Sequence, residues 1–153
     1  MTCAVRADGT TSPASDLLDD LSEGMWDDPE AESLPDEYQP TLRRRLIANI
    51  EYFANHGELG RDSYNRLRDG IWEFKASGVR ISFYDTDGIG GYDPKHGERV
   101  STWDQRYIYE LPEFDEFIRL GHAFPKTSQK TTEADLASCA TVREEDLEHD
   151  ICN

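Results

Sequence analysis

The sequence predicts an α+β fold in one domain: a small antiparallel sheet, two helices before its main strands, one helix after them, and an inserted segment ahead of the last core strand. Three observations carry this. Over residues 41–55 apolar side chains recur every three to four positions, as on one face of a helix. Residues 71–75 and 79–84 alternate with period two on either side of Ala76-Ser77-Gly78, as paired strands do. The chain of 153 residues is long enough to bury one core without disulfides or a metal.

Along the chain, residues 2–8 are partly β-favouring and meet the turn signal Asp8-Gly9, which suggests a first strand. Ser12-Pro13 reads as a cap and first helical residue, and Leu17, Leu18 and Leu21 give the following short helix its apolar face. Residues 27–38 are acidic and interrupted by prolines, which suits a connector. The long helix starts near Pro40 and Thr41 and carries Leu42, Leu46, Ile50 and Phe53, with Ile47 beside them. His56-Gly57 ends it, glycine standing where a left-handed cap is needed. After the hairpin, residues 85–117 change character: glycines and Pro94 first, then Trp103, Tyr107, Tyr109, Phe114 and Phe117 among acidic residues. This is the insertion, with a strand expected around 106–111. The strand pattern resumes over 117–124 and stops at Pro125. Thr132 and Asp135 then form a capping signal for a last, acidic helix over about 132–153 that carries Leu136, Ala140 and Leu147.

The formal charge of −16 argues at first against a nucleic-acid partner, because phosphate neutralisation needs Lys and Arg. The acidity is concentrated at the ends. Residues 1–38 hold 11 acidic residues against Arg6, residues 132–153 hold seven against Arg143, and residues 39–131 balance 14 against 14. A neutral centre can carry a local basic cleft, although an acidic periphery repels free RNA at long range. Cys3, Cys139 and Cys152 show neither disulfide nor zinc spacing, so a reducing cytoplasm is the expected compartment. No apolar run is long enough for a bilayer and no signal peptide is evident, so no membrane partner is expected.

The residues with chemical potential are Lys75 late in one strand, Arg80 early in the next, His122 in the third, and Lys126 and Lys130 beyond it. If those strands are neighbours, Lys75, Arg80 and His122 share a face. Fixed cations meet the charge that develops on a phosphate during strand cleavage, and a histidine or a lysine of lowered pKa can carry protons. Each residue also has a plain structural alternative: Lys75 as a solvated strand residue, Arg80 as the partner of Glu73, His122 as a hydrogen-bonded core residue, and Lys126 with Lys130 as an exposed basic loop.

Three runs, Arg66 to Lys75, Val79 to Tyr84 and Leu120 to Thr131, together resemble the phage-derived HigB-like branch of the RelE/ParE toxin superfamily. The resemblance covers nearly the whole chain outside the acidic connector and the insertion. It implies a RelE-like sheet and the toxin of a type II toxin-antitoxin pair. Such a toxin is a ribosome-dependent mRNA endonuclease that works without a metal or other cofactor. Its implied partners are the ribosome, mRNA and a small helix-turn-helix antitoxin. Residue by residue, it places Arg80 on the scissile phosphate with Lys75 beside it, His122 as a further catalytic candidate, and Lys126, Lys130 and Arg119 on neighbouring RNA. The branch's paired lysines stand here as Lys126-Thr127, and the last helix is acidic around Glu144, Glu145 and Asp146. Two other readings follow from the same residues: a cleavage-deficient binding module acting through the acidic ends and the aromatic insertion, and a ParE-type gyrase inhibitor.

Overall fold

In a computed structural model, which describes residues 1–27, 37–104, 106–115, 117–126 and 130–152, the chain is α+β. Its elements are β1 (Thr2–Cys3), α1 (Pro13–Glu23), α2 (Tyr38–His56), β2 (Tyr64–Arg66), β3 (Trp72–Ala76), β4 (Val79–Tyr84), β5 (Glu98–Ser101), β6 (Tyr107–Glu110), β7 (Arg119–Pro125) and α3 (Glu133–Cys152). Five strands form the main sheet in the order β1-β7-β4-β3-β2, and β5 pairs only with β6. The sheet is mixed: β1 runs parallel to β7, while the other pairs are antiparallel as expected. Most of the acidic connector, and Thr127, Ser128 and Gln129 of the basic loop, lie outside the described residues.

The sheet is covered on both faces. On one, alternate residues Trp72, Phe74, Ile81, Phe83 and Leu120 bury against Leu17, Leu18 and Leu21 of α1 and Leu42, Leu46, Ile50 and Phe53 of α2. Phe53 meets Phe74 and Phe83 edge-on or tilted at 5.8 and 5.5 Å, an arrangement that suits ring quadrupoles. Gly57 ends α2 in the left-handed conformation, its N–H donating to the Phe53 carbonyl at 2.8 Å. On the other face α3 packs through Cys139 and Val142 onto Tyr84, Phe124 and Ala4. Of the expected α3 stripe, Leu147 is buried while Leu136 and Ala140 are only half-buried.

Asp146 locks α3 down. This buried carboxylate accepts from the Val5 backbone N–H at 3.0 Å, the Tyr84 hydroxyl at 2.9 Å and Arg119 Nη1 at 2.9 Å. It thereby joins the N-terminal strand region, β4, β7 and α3 at one point. Burial, with Asp146 alongside, pushes the Tyr84 phenol well above its ordinary pKa.

The insertion is built into the body. Phe114 packs against Phe53, Phe83 and Trp72 at 5.4, 5.3 and 6.5 Å. Lys95 lies 3.6, 2.9 and 3.2 Å from carboxylate oxygens of Asp85, Asp93 and Asp115, and its carbonyl accepts from Trp72 Nε1 at 2.6 Å. Gly70 and Gly97 mark the closest approaches. Both have positive φ, and a Cβ would come within 2.5 Å of Pro94 at the first and 2.6 Å of the Glu110 carbonyl at the second.

Replacing Asp146 leaves the buried Tyr84 phenol without its acceptor and the half-buried Arg119 guanidinium with Asp150 alone. Asp146→Ala should lower unfolding free energy by about 1–3 kcal/mol, read as a reduced urea midpoint. Asp150→Ala, which removes only the outer partner of Arg119, should cost clearly less.

Candidate functional site

The α3 side of the sheet collects polar side chains near the start of that helix. In register, Asn65 stands opposite Glu73, Lys75 opposite Arg80, and Arg80 opposite Phe124. Lys75, Arg80 and His122 thus lie on neighbouring strands β3, β4 and β7, with a register shift in the β4–β7 ladder between Ile81 and Phe83. Asn65, Glu73, Arg80, Lys126, Lys130 and Asp135 line one small cleft there.

Glu73 is its centre. Its carboxylate is 2% exposed, accepts from Asn65 Nδ2 at 2.9 Å through Oε1, and lies 3.6 Å from Arg80 Nε. Oε2 is buried and has no hydrogen-bond partner among the described residues. Burial raises the Glu73 pKa against the opposing pull of Asn65, Arg80, Lys75 and Lys126. The Lys75 ammonium, 3.3 Å from Asn65 Oδ1, is shifted the other way, first by burial and then by the charges of Arg80 and Lys126. An acid pushed upward and a base pushed downward around a shared asparagine are both drawn toward their neutral forms. That is the electrostatic pattern of groups poised for proton transfer.

Arg80 is only 5% exposed and is fixed from behind: Nη1 donates to the carbonyls of Ser77 and Val79, each at 2.8 Å. The arginine–glutamate pairing is present, and it sets a fixed positive charge beside the carboxylate. Lys126 is exposed, and its backbone N–H donates to the Gly78 carbonyl at 2.8 Å, which brings the end of β7 to the β3–β4 turn. Lys130 lines the same cleft from the approach to α3.

His122 stands farther along β7. Its N–H donates to Ser82 Oγ at 2.8 Å, its ring stacks on Phe124 at 5.2 Å, and Nε2 is 3.3 Å from Asp135. Burial lowers its pKa despite Asp135, favouring the neutral imidazole at neutral pH. Arg119 is not part of the cluster. Its guanidinium is held by Asp146 at 2.9 Å and Asp150 at 2.8 Å, away from the cleft.

Glu73 enters the sequence only as a counterion for Arg80, and Asn65 and Asp135 do not enter as site residues at all. The period-two pattern puts Glu73 on the same face as Lys75, which is the signal that finds it. Asn65 lies on β2, a three-residue strand with no sequence pattern to announce it.

The carboxylates of Asp85, Asp93 and Asp115 lie within 4.8 Å of one another, close enough to hold a cation. The Lys95 ammonium already stands among them as their counter-charge. Cys3 and Cys139 are free thiols, and burial pushes Cys139 up to about 12, which makes it a poor nucleophile. Among the described residues no helix is long and apolar enough to cross a membrane. Comparison with protein families, curated proteins and solved structures finds no match to this chain.

A carbon-detected NMR titration of the side-chain carboxyl should place Glu73 above the ordinary glutamate value of about 4.3. Because its pKa is raised on folding, its contribution to stability is largest at acid pH and is lost as pH rises through the folded value. Asn65→Ala removes a donor to the ionised form and should move the Glu73 midpoint higher still; a midpoint at or below the ordinary value would contradict the desolvated geometry.

Proposed function

We propose that this chain is a metal-independent RNA endonuclease, acting as the toxin of a toxin-antitoxin pair on ribosome-bound mRNA. The observation that carries the reading is the gathering of cations around the buried carboxyl of Glu73: Arg80 and Lys126 line the same cleft, and Lys75 reaches it through Asn65, the side chain that both share. The strand runs that resemble HigB-like toxins contain these same residues.

Cleavage through the 2′-hydroxyl forms a bond from that oxygen to phosphorus and breaks the bond to the 5′-oxygen, leaving a cyclic phosphate and a 5′-hydroxyl. The 2′-proton must go to a base, and the departing oxygen must receive one. Lys75 is suited to the first task, since burial and the charges of Arg80 and Lys126 bring its free amine closer to reach than in an ordinary lysine. Glu73 is suited to the second, since burial makes its carboxyl hold a proton more readily than an ordinary glutamate does. Arg80, buried and held by backbone carbonyls, supplies a fixed field for the pentacovalent phosphate, while exposed Lys126 is free to approach the phosphate itself. A fixed cation costs no reorganisation when charge develops. Any antitoxin would act by covering this cleft.

One observation favours a second reading, a binding module without cleavage. Trp103 is 95% exposed in the connection between β5 and β6, and such a residue is an anchor typical of protein interfaces.

Induction in bacteria with mapping of RNA 5′ ends separates these readings and the gyrase alternative. The nuclease reading expects growth arrest and new 5′ ends at ribosome-occupied sites; normal growth at good expression sinks it, and a DNA-damage response without RNA ends would point to gyrase. Arg80→Ala leaves Glu73 buried without its counterion, so Lys75→Arg is the cleaner variant. It keeps the charge and cannot give up a proton near neutral pH. It should reduce cleavage by about 100-fold or more with little change in RNA affinity. For wild type the cleavage rate should trace a bell against pH, rising through the lower of the two pKa values and falling above the higher, because the amine of Lys75 must be free while Glu73 keeps its proton. A Lys75→Arg variant should lose that profile.

A further inference from the structure

Beside the cleft lies a larger groove of about 530 Å³, between β2 and the β5–β6 hairpin of the insertion. Its volume falls in the range of about 300–1,000 Å³ that holds one small organic ligand. We propose that this groove is the subsite for one unpaired nucleotide of the RNA strand, flanking the bond that lies over Lys75 and Glu73. The proposal rests on the RNA reading above and adds to it where the strand is gripped and in what form.

Four features select that ligand. The hairpin presents Tyr107 and Tyr109 two residues apart on one strand, hence on one face, and Tyr107 is 63% exposed. An exposed aromatic ring in a groove wall is a platform for an unstacked base, and stacking tolerates every base because each has a π-face. Cations lie over the rings: the Arg66 guanidinium is 4.2 Å from the Tyr109 centroid and that of Arg99 4.4 Å from the Tyr107 centroid. The wall also includes Arg61 and Arg68, the latter oriented by two hydrogen bonds to Glu133 at 2.6 and 2.8 Å. Arg61 is exposed and positioned for a phosphate.

Continuity supplies the fourth feature. Asn65, Glu73, Lys130 and Thr131 line both the groove and the cleft, so a ligand in the groove abuts Glu73 and Asn65, the side chain that holds Lys75. The cleft, of about 30 Å³, admits no nucleotide, so a strand leaving the groove passes over its mouth. Duplex RNA is excluded, because its bases are stacked on one another and unavailable to Tyr107.

The test uses the full chain carrying Lys75→Arg, so that RNA is bound without being cut, and fluorescence anisotropy with a labelled single-stranded RNA hexanucleotide. Tyr107→Ala and Arg61→Ala, both at exposed positions that should not disturb folding, are each expected to weaken binding about tenfold. Arg61→Ala should also lower the slope of log affinity against log salt by about 0.7, and Tyr107→Ala should leave that slope unchanged. Duplex RNA of the same sequence should fail to compete. Unchanged affinity in both variants, or equal binding of the duplex, overturns the subsite even if the wild-type protein cleaves RNA. Weakened binding in both variants together with a wild-type protein that never cleaves supports the subsite and removes the nuclease reading. No binding of single-stranded RNA by any form overturns both.

Discussion

Burial of polar residues along the second face of β4 is the constraint from which the rest of this architecture follows. Every residue of Val79–Tyr84 is buried, yet Arg80, Ser82 and Tyr84 alternate with apolar neighbours. A central strand closed on both sides is usually apolar throughout. Here each polar group must find a partner inside the protein, because an unmet one costs about 1–3 kcal/mol, more if charged. Tyr84 finds Asp146, Ser82 accepts from the His122 backbone, and Arg80 finds Glu73 and two carbonyls. The solutions differ in completeness. The first two are closed, while the third leaves one buried oxygen of Glu73 unmet. The imperfectly satisfied position along β4 is therefore the one that lines the cleft and holds the perturbed acid.

The same constraint explains the acidity of α3. Of its acidic residues, Asp146 and Asp150 hold Arg119, Glu145 holds Arg6, Glu133 holds Arg68 and Asp135 meets His122. These charges are internal counterions, so the formal charge of the C-terminal region overstates the repulsion an RNA would meet at the cleft. The pairing also has a cost for recognition, since Arg6 and Arg119 are withdrawn from any phosphate. On the RNA reading proposed above, the cations beside the cleft and groove include Lys75, Lys126, Lys130, Arg61, Arg66 and Arg68, the last paired with Glu133. A modest number of such contacts would give stacking a substantial share of affinity.

Elements with a strong local period were legible in the sequence: α2 through Leu42, Leu46, Ile50 and Phe53, the β3–β4 hairpin through its alternation, and α3 through Thr132 and Asp135, whose capping contacts are present. What could not be read depended on distant partners. β2 has three residues and is a strand only because β3 lies beside it. Arg119 looks like any strand cation until α3 brings Asp146 and Asp150 against it. The neighbourhood of Lys75, Arg80 and Glu73 follows from strand order plus alternation, and so was partly accessible. The pKa shifts were not, because they arise from burial that no single strand reveals. Glu73 was visible as a counterion and invisible as an acid for this reason.

The insertion is where local reading failed most instructively. Its composition marks it as an inserted segment and does not show how it joins the body, where Phe114 completes the aromatic core and Lys95 stands among three carboxylates. Its hairpin is then fastened to β2 at two points: the Tyr64 hydroxyl donates to the Tyr109 carbonyl at 3.2 Å, and Arg66 Nε donates to the His96 carbonyl at 3.0 Å. Between those two residues lies Asn65, whose side chain turns to Glu73 and Lys75. One three-residue strand thus forms the shared wall of groove and cleft, with alternate side chains facing each way. Asn65 donates to Glu73 and accepts from Lys75, so, on the RNA reading proposed above, a base that shifted the hairpin would act on the acid–base pair through this one side chain.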